Sequence, residues 1–189
     1  EMPDHASDSD RSTVSALHIE PALYRQVLGQ YPTGVCVITA LLPDGQPTGM
    51  VVGSFTSVSL DPPLVAFFPD QKAGAWSRLR ASKRFCVNIL SAEQEETCRK
   101  LASKDPNKFA DMPFSLSPGG CPVIQGVVAW IDCETYSVDA AGDHFIVMGL
   151  VNRLEIASGS LPLLFFQGGY GRFSPSSIVA SDTHGLLTS

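Results

Sequence analysis

The sequence lacks the apolar run of ~20 residues that a membrane-spanning helix needs. Its acidic start also lacks the cationic and apolar regions of a secretory signal. We therefore predict a soluble, cytoplasmic protein. Basic residues are scarce, 13 against 19 acidic residues, and the net charge of −6 argues against sequence-independent binding to nucleic acid or to an anionic membrane.

Motifs for metal binding and for common nucleotide folds are absent as well. The five cysteines include no pair with a two-residue gap, and no two of the four histidines have i, i+4 spacing, which argues against a zinc enzyme. Cys36, Cys86 and Cys133 stand among apolar residues, so we interpret the cysteines as structural thiols. There is no Gly-x-Gly-x-x-Gly after a strand, no phosphate-loop motif and no Gly-x-Ser-x-Gly elbow. Any nucleotide is therefore held without a Rossmann domain.

The apolar content that is present suffices for one domain. The chain has 189 residues, 44% of them hydrophobic, which matches a single globular core. Residues 1–20 are polar and aperiodic, and the end of the chain is rich in Ser and Thr. We predict a disordered N-terminal segment over 1–20, one domain over 21–173 and a C-terminal tail over 174–189.

Strand patterns outnumber helix patterns along this domain. Short helices are predicted at residues 21–30, 73–81 and 92–102. Strands are predicted at residues 34–42, 47–53, 54–60, 64–68, 85–90, 127–138, 144–156 and 163–166. Strands and helices do not alternate, which argues against a doubly wound sheet. We predict a mainly β fold, a closed antiparallel barrel with helices at its edges, because closure removes exposed strand edges.

Two segments carry candidate binding chemistry. Nine of the thirteen basic residues fall between positions 72 and 108, and this island holds the small-residue helix start Ala73-Gly74-Ala75. Free backbone N–H groups there, with cations nearby, would bind a phosphate. The alternative interpretation of the basic island is a solvated basic face. Residues 48–59 mix glycines with hydroxyl side chains, which lets a planar ligand approach the backbone. A bulge in a strand is the alternative interpretation of that segment.

Short motifs in order along residues 24–173 resemble the flavin reductase-like family. They include YPTGV at 31–35, GM at 49–50, SFTSVSLDPPL at 54–64, FCVNIL at 85–90, KF at 108–109, GDH at 142–144 and GGYG at 168–171. The resemblance implies an FMN-binding, Greek-key split β-barrel with a few flanking short helices. It also implies hydride transfer from NADH or NADPH to FAD or FMN, a partner flavin-dependent monooxygenase that receives reduced flavin, and a homodimer.

The resemblance also implies the site residues. Residues 52–56 would lie along the isoalloxazine, Val58 and Ser59 beside the ribityl chain, and residues 72–77 at the flavin phosphate. Lys108 and Phe109 would close over the flavin, and His144 with residues 169–171 would meet the nicotinamide. No metal is implied. The implied site residues are Val52, Gly53, Ser54, Phe55, Thr56, Val58, Ser59, Lys72, Ala73, Gly74, Ala75, Trp76, Ser77, Lys108, Phe109, Gly169, Tyr170, Gly171 and, as the catalytic candidate, His144.

The sequence departs from the family pattern at two places. Members often carry Thr or Asn at the positions of Val51 and Gly53, and Ser or Thr in the phosphate loop at residues 73–75. Without those hydroxyls, backbone N–H groups must supply more of the hydrogen bonds to the ligand. For His144, a tight Gly-Asp-His turn with an exposed imidazole is the alternative interpretation. Two other functions stay open: a split-barrel flavoprotein with tightly bound flavin and no nicotinamide step, such as an oxidase or flavin carrier, and a plain β-barrel interaction module.

Overall fold

The computed structural model describes residues 19–176, so most of the predicted N-terminal segment and C-terminal tail lies outside the described residues. The helices are α1 (Pro21–Leu28), α2 (Gly74–Leu79) and α3 (Glu95–Ala102), with a 3₁₀ turn at Ala92–Gln94. No helix between residues 19 and 176 is both long and apolar enough to cross a membrane. The strands are β1 (Thr33–Gly34), β2 (Cys36–Leu41), β3 (Pro47–Val52), β4 (Thr56–Leu60), β5 (Pro63–Phe67), β6 (Arg84–Ile89), β7 (Phe114–Leu116), β8 (Pro122–Ile124), β9 (Ala129–Ala141), β10 (His144–Ile156), β11 (Leu163–Phe166) and β12 (Gly169–Arg172).

Seven antiparallel strands form the main sheet, in the order β3-β2-β6-β9-β10-β5-β4. A three-stranded sheet, β1-β11-β12, and a two-stranded sheet, β7-β8, accompany it. This mainly β architecture with short flanking helices confirms the predicted fold class, a split barrel.

The expected full closure of the barrel was wrong. The end strands β3 and β4 are not paired with each other in the described part of the chain, so the main sheet stays open. Helices α2 and α3 both pack against β3. A covering helix also protects a strand edge, so β3 does not need a paired strand to avoid edge-to-edge association.

Three strands were not predicted from the sequence patterns. Strands β7 and β8 have three residues each, too few to show an alternating pattern. Strand β12 begins Gly-Tyr-Gly, and glycine is depleted in strands. It forms only because its backbone pairs with β11, from Leu163 opposite Arg172 to Phe166 opposite Gly169.

Strand β2 divides the core into two clusters, because side chains alternate between the faces of a strand. Ile38 belongs to one cluster, into which α2 places Trp76. Val37 belongs to the other, into which α3 places Leu101. Both faces of β2 are therefore buried, which explains why its sequence is almost continuously apolar.

All five cysteines are free and buried, as the interpretation of structural thiols predicted. Cys86 and Cys133 are fully shielded from solvent. Burial raises the pKa of Cys36, Cys121 and Cys133 to about 12 each, because a thiolate loses its hydration inside the core. These thiols are thus unreactive near neutral pH.

Candidate functional site

The connection between β3 and β4 is held on both sides. A Cβ added to Gly53 would lie 2.8 Å from Oγ1 of Thr33, so the absent side chain lets this backbone approach β1. The Phe68 N–H donates to Oγ of Ser54 at 3.0 Å, which ties the connection to the end of β5. The segment that the resemblance assigns to the flavin ring is therefore a fixed backbone ledge, with small side chains at Gly53 and Ser54.

His144 begins β10 directly after a tight turn in which Gly142 has a φ of 63°. The turn is docked rather than free, because the Phe145 N–H donates to the Pro69 carbonyl at 2.9 Å. The Gln71 side-chain amide donates to the carbonyls of Gly142 and His144, at 3.1 Å each. Since Pro69 adjoins the residue that binds Ser54, the His144 turn lies beside the β3–β4 connection.

The imidazole of His144 has one polar partner and remains 44% exposed. Its Nδ1 lies 2.7 Å from Oδ1 of Asp143. This contact, together with the nearby charge of Lys72, holds the pKa of the Asp143 carboxyl below its usual value. The carboxylate fixes one edge of the ring, so the other ring nitrogen is available to a ligand.

A cleft of about 410 Å³ lies where α2 and the end of α3 meet β3. An adjoining cleft of about 300 Å³ shares its cations. The lining includes Gly74 and Ala75 of the predicted phosphate loop, and the cations are Arg78, Lys104 and Lys108. Asp105 is the one carboxylate among the described residues that line either cleft. In a protein of net charge −6, this cleft fits an anionic group such as a phosphate.

Lys108 is the buried cation of the cleft, at 9% exposure. Its Nζ donates to the Leu101 carbonyl at 2.9 Å. Burial lowers the pKa of Lys108, and the charge of Arg78 lowers it further. An anion in the cleft would relieve this repulsion between cations.

Some predicted site side chains point elsewhere. The Trp76 indole is 4% exposed and packs edge-on against Phe67 at 6.0 Å between ring centres, so it does not line the cationic cleft. Phe109 lines the second cleft, and its ring also lies against Gly49 of β3.

Tyr170 of β12 packs against α3, away from the contacts of His144. Its hydroxyl accepts from the Cys98 thiol at 3.3 Å. The Arg99 guanidinium lies 4.8 Å from the centre of its ring. The contact with Cys98 and partial burial raise the pKa of Tyr170 to about 12. No described contact joins Tyr170 to His144, so the two predicted nicotinamide positions remain separate predictions.

Two cleft cations were missed as site residues. Arg78 and Lys104 belong to the basic island of the sequence, but the island also contains Arg84 and Arg99, which form ion pairs with acids instead. Charge density alone indicated the region and could not select its members. No cluster of His, Cys, Asp and Glu suited to a metal ion is found within residues 19–176.

The fold and the cleft define a class: a mainly β split barrel with a cationic cleft at its helix-covered edge strand. Residues 28–174 match the family model of the flavin reductase like domain. The chain belongs to this family, as the sequence motifs predicted.

Named relatives are similar over most of their length. A flavin reductase of Pseudomonas putida is 54% identical over 156 residues, which cover 82% of this chain and 92% of the relative. The reductase subunit of a flavin-dependent monooxygenase from Rhodococcus jostii is 42% identical over 166 residues, covering 88% and 85%. The structure of an NADH:FAD oxidoreductase from Streptomyces globisporus, in complex with NAD and FAD fragments, superposes with a TM-score of 0.77 at 35% identity, covering 83% and 94%.

Proposed function

We propose that the protein is an NAD(P)H:flavin oxidoreductase that reduces FAD or FMN and passes reduced flavin to a partner flavin-dependent monooxygenase. Family membership and the names of the relatives support this activity. The observation that carries it to this chain is the cleft lined by Arg78, Lys104 and Lys108, next to the ledge at residues 53–56.

In this proposal the cleft holds the flavin phosphate. Where family members often have Ser or Thr, residues 73–75 offer no hydroxyl, and Ala73 gives α2 no side-chain cap. Arg78 and Lys104 supply the lost polar contacts as charged donors, which bind phosphate more strongly than neutral hydroxyls. The departure in the phosphate loop is thus compensated by cations on α2 and after α3.

The ledge holds the ring, with backbone N–H groups near Ser54 serving as donors to its pyrimidine edge. When bound, the two cofactors supply the chemistry: hydride passes from nicotinamide C4 to flavin N5. The residues of this chain therefore need only bind, orient and exclude water. His144, held by Asp143 on one side, orients the nicotinamide from the neighbouring turn.

A steady-state assay tests the function. Purified protein should oxidise NADH or NADPH only when free flavin is added, and reduced flavin should appear in solution. Flavin that co-purifies stoichiometrically, with no nicotinamide oxidation, would favour the flavoprotein alternative. Absence of flavin binding would favour a plain interaction module.

We also propose a cytoplasmic homodimer with residues 21–173 as its folded unit. Helix α1 supports the dimer, because none of its residues is buried. Leu23, Tyr24, Val27 and Leu28 are each more than half exposed. An eight-residue helix is marginal alone in water, so a second copy that covers this apolar side would stabilise it.

A further inference from the structure

A separate cavity, of about 150 Å³, lies between α2 and strands β2, β5, β6 and β9. Its inner wall is built of buried apolar side chains: Ile38, Phe67, Trp76, Leu79 and Phe85. It shares no lining residue with the two cationic clefts. It is also far too small for a flavin, so the proposed function leaves this cavity unused.

One polar atom of the inner wall has no partner. Nε1 of Trp76 is buried and forms no hydrogen bond with any described residue. An unpaired buried donor is destabilising, and native proteins nearly always satisfy such groups. Because this atom has almost no accessible surface, a ligand in the cavity does not reach it, and the wall offers a ligand apolar contact alone.

The rim of the cavity is cationic, whereas its wall is apolar. It contains Arg80 and Lys83, and no carboxylate is found among the described residues that line the cavity. Neither cation forms a salt bridge within residues 19–176. The Arg80 guanidinium lies over the Phe145 ring, 5.8 Å from its centre. The rim thus favours an anion.

We propose that this cavity binds a single-ring aromatic molecule that carries an anionic oxygen group, a carboxylate or a phenolate. An apolar cavity of ~150 Å³ in another protein stays dry and binds benzene, so the volume fits one ring. The ring contacts the apolar wall, while the oxygens take the rim cations. This site is separate from the flavin site and does not depend on the proposed function.

Calorimetric titration of the full-length, flavin-free protein with benzoate tests the proposal. Saturable 1:1 binding is expected, with a dissociation constant in the millimolar range or below. Lys83→Ala and Arg80→Ala should each weaken benzoate about threefold to tenfold, as loss of one charged contact at a partly exposed rim requires. Arg153→Ala, which removes an exposed cation on β10, is the matched control and should leave binding unchanged.

Arg80 and Lys83 are both exposed, so their variants leave the apolar wall intact and decide the question without disturbing the fold. Benzylamine, with the same ring and the opposite charge, should not bind.

Three results would overturn the proposal. Absence of saturable benzoate binding would mean that the cavity does not hold an aromatic anion. Benzylamine binding as tight as that of benzoate, together with no effect of Lys83→Ala, would remove the anion requirement. Competitive displacement of benzoate by FMN would locate it in the flavin cleft instead.

Discussion

At the scale of single residues, the cationic cleft depends on side chains whose charges have few local partners. Arg78 and Lys104 are exposed and form no salt bridge inside the described region, whereas Lys108 is buried and bound to a carbonyl. The two exposed cations can therefore be removed without opening the core. This makes them suitable for testing ligand contacts separately from folding.

Lys104→Ala should raise the KM for FMN and FAD about fivefold, because one exposed charged contact is worth roughly 1 kcal/mol. Riboflavin has the same ring without a phosphate, so its reduction should be unchanged. Lys104→Arg should retain most of the affinity, and Arg153→Ala serves as the distant cation control. Steady-state kinetics with the three flavins checks this, and an equal loss with riboflavin would contradict a phosphate contact.

His144→Ala should raise the KM for NADH, because one lost polar contact is worth roughly 0.5–1.5 kcal/mol. The KM for flavin should stay within about threefold. The variant should fold, since backbone bonds of Phe145 and the Gln71 amide hold the turn without the imidazole. Flavin is the internal control in the same assay. If both constants stay unchanged, the imidazole is only part of a turn; a lower kcat with an unchanged KM would assign it to hydride-transfer geometry.

At the scale of elements, β10 depends on a close approach at Gly149. The strand changes register against β9 between Met148 and Gly149. A Cβ added to Gly149 would lie 2.5 Å from Cζ of Phe85 and 3.0 Å from Cβ of Cys133. The glycine thus lets β10 pack against the Phe85 ring of the first core cluster.

Gly149→Ala should lower the free energy of unfolding by about 1–3 kcal/mol, because the new methyl group overpacks the core. Gly159→Ala is the matched control, since no heavy atom lies within 4 Å of its added Cβ. Urea denaturation of both variants measures the difference. Equal stability of the two variants would show that Phe85 can move aside at little cost.

At the scale of the whole molecule, the exposed apolar side of α1 bears on assembly. Leu23→Glu and Val27→Glu together should convert the proposed dimer to a monomer, because two carboxylates cannot be buried unpaired in an interface. Gln26→Glu, on the same helix, is the control and should remain dimeric. Light scattering at micromolar concentration gives the masses. A monomer mass for the unaltered protein would refute the dimer, and a dimer of the double variant would place the interface elsewhere.

Burial of the thiols predicts how stability depends on pH. The pKa values of Cys36, Cys121 and Cys133 rise from 9.0 to about 12 on folding. Above about pH 9 the unfolded chain therefore binds fewer protons than the native state, so the free energy of unfolding falls as pH rises further. Urea denaturation between about pH 8 and pH 10.5 should show this decline, with a shallower slope for Cys36→Ala. Stability that stays level over this range would contradict the burial of the thiols.

Much of the fold could be predicted from local patterns. The hairpin of β2 and β3, the β9–β10 pair and the helices near residues 74 and 95 all lie close to their expected positions. Their signals are local, because apolar runs, turn residues and helix starts span only a few positions. The openness of the sheet was not predictable in this way, since it depends on helices that cover β3 from distant parts of the chain.

The sequence by itself determined the strand content, the buried thiols and the family, because each depends on residues that are neighbours along the chain. Only the tertiary structure decided which residues form the cleft. Arg78 lies in the last turn of α2 and Lys104 follows α3, so they meet only when both helices pack on β3. It also decided that Trp76 faces the core while Ala75, one position earlier, lines the cleft. Side chains of adjacent helical residues point in different directions, and which direction meets the core is fixed by packing.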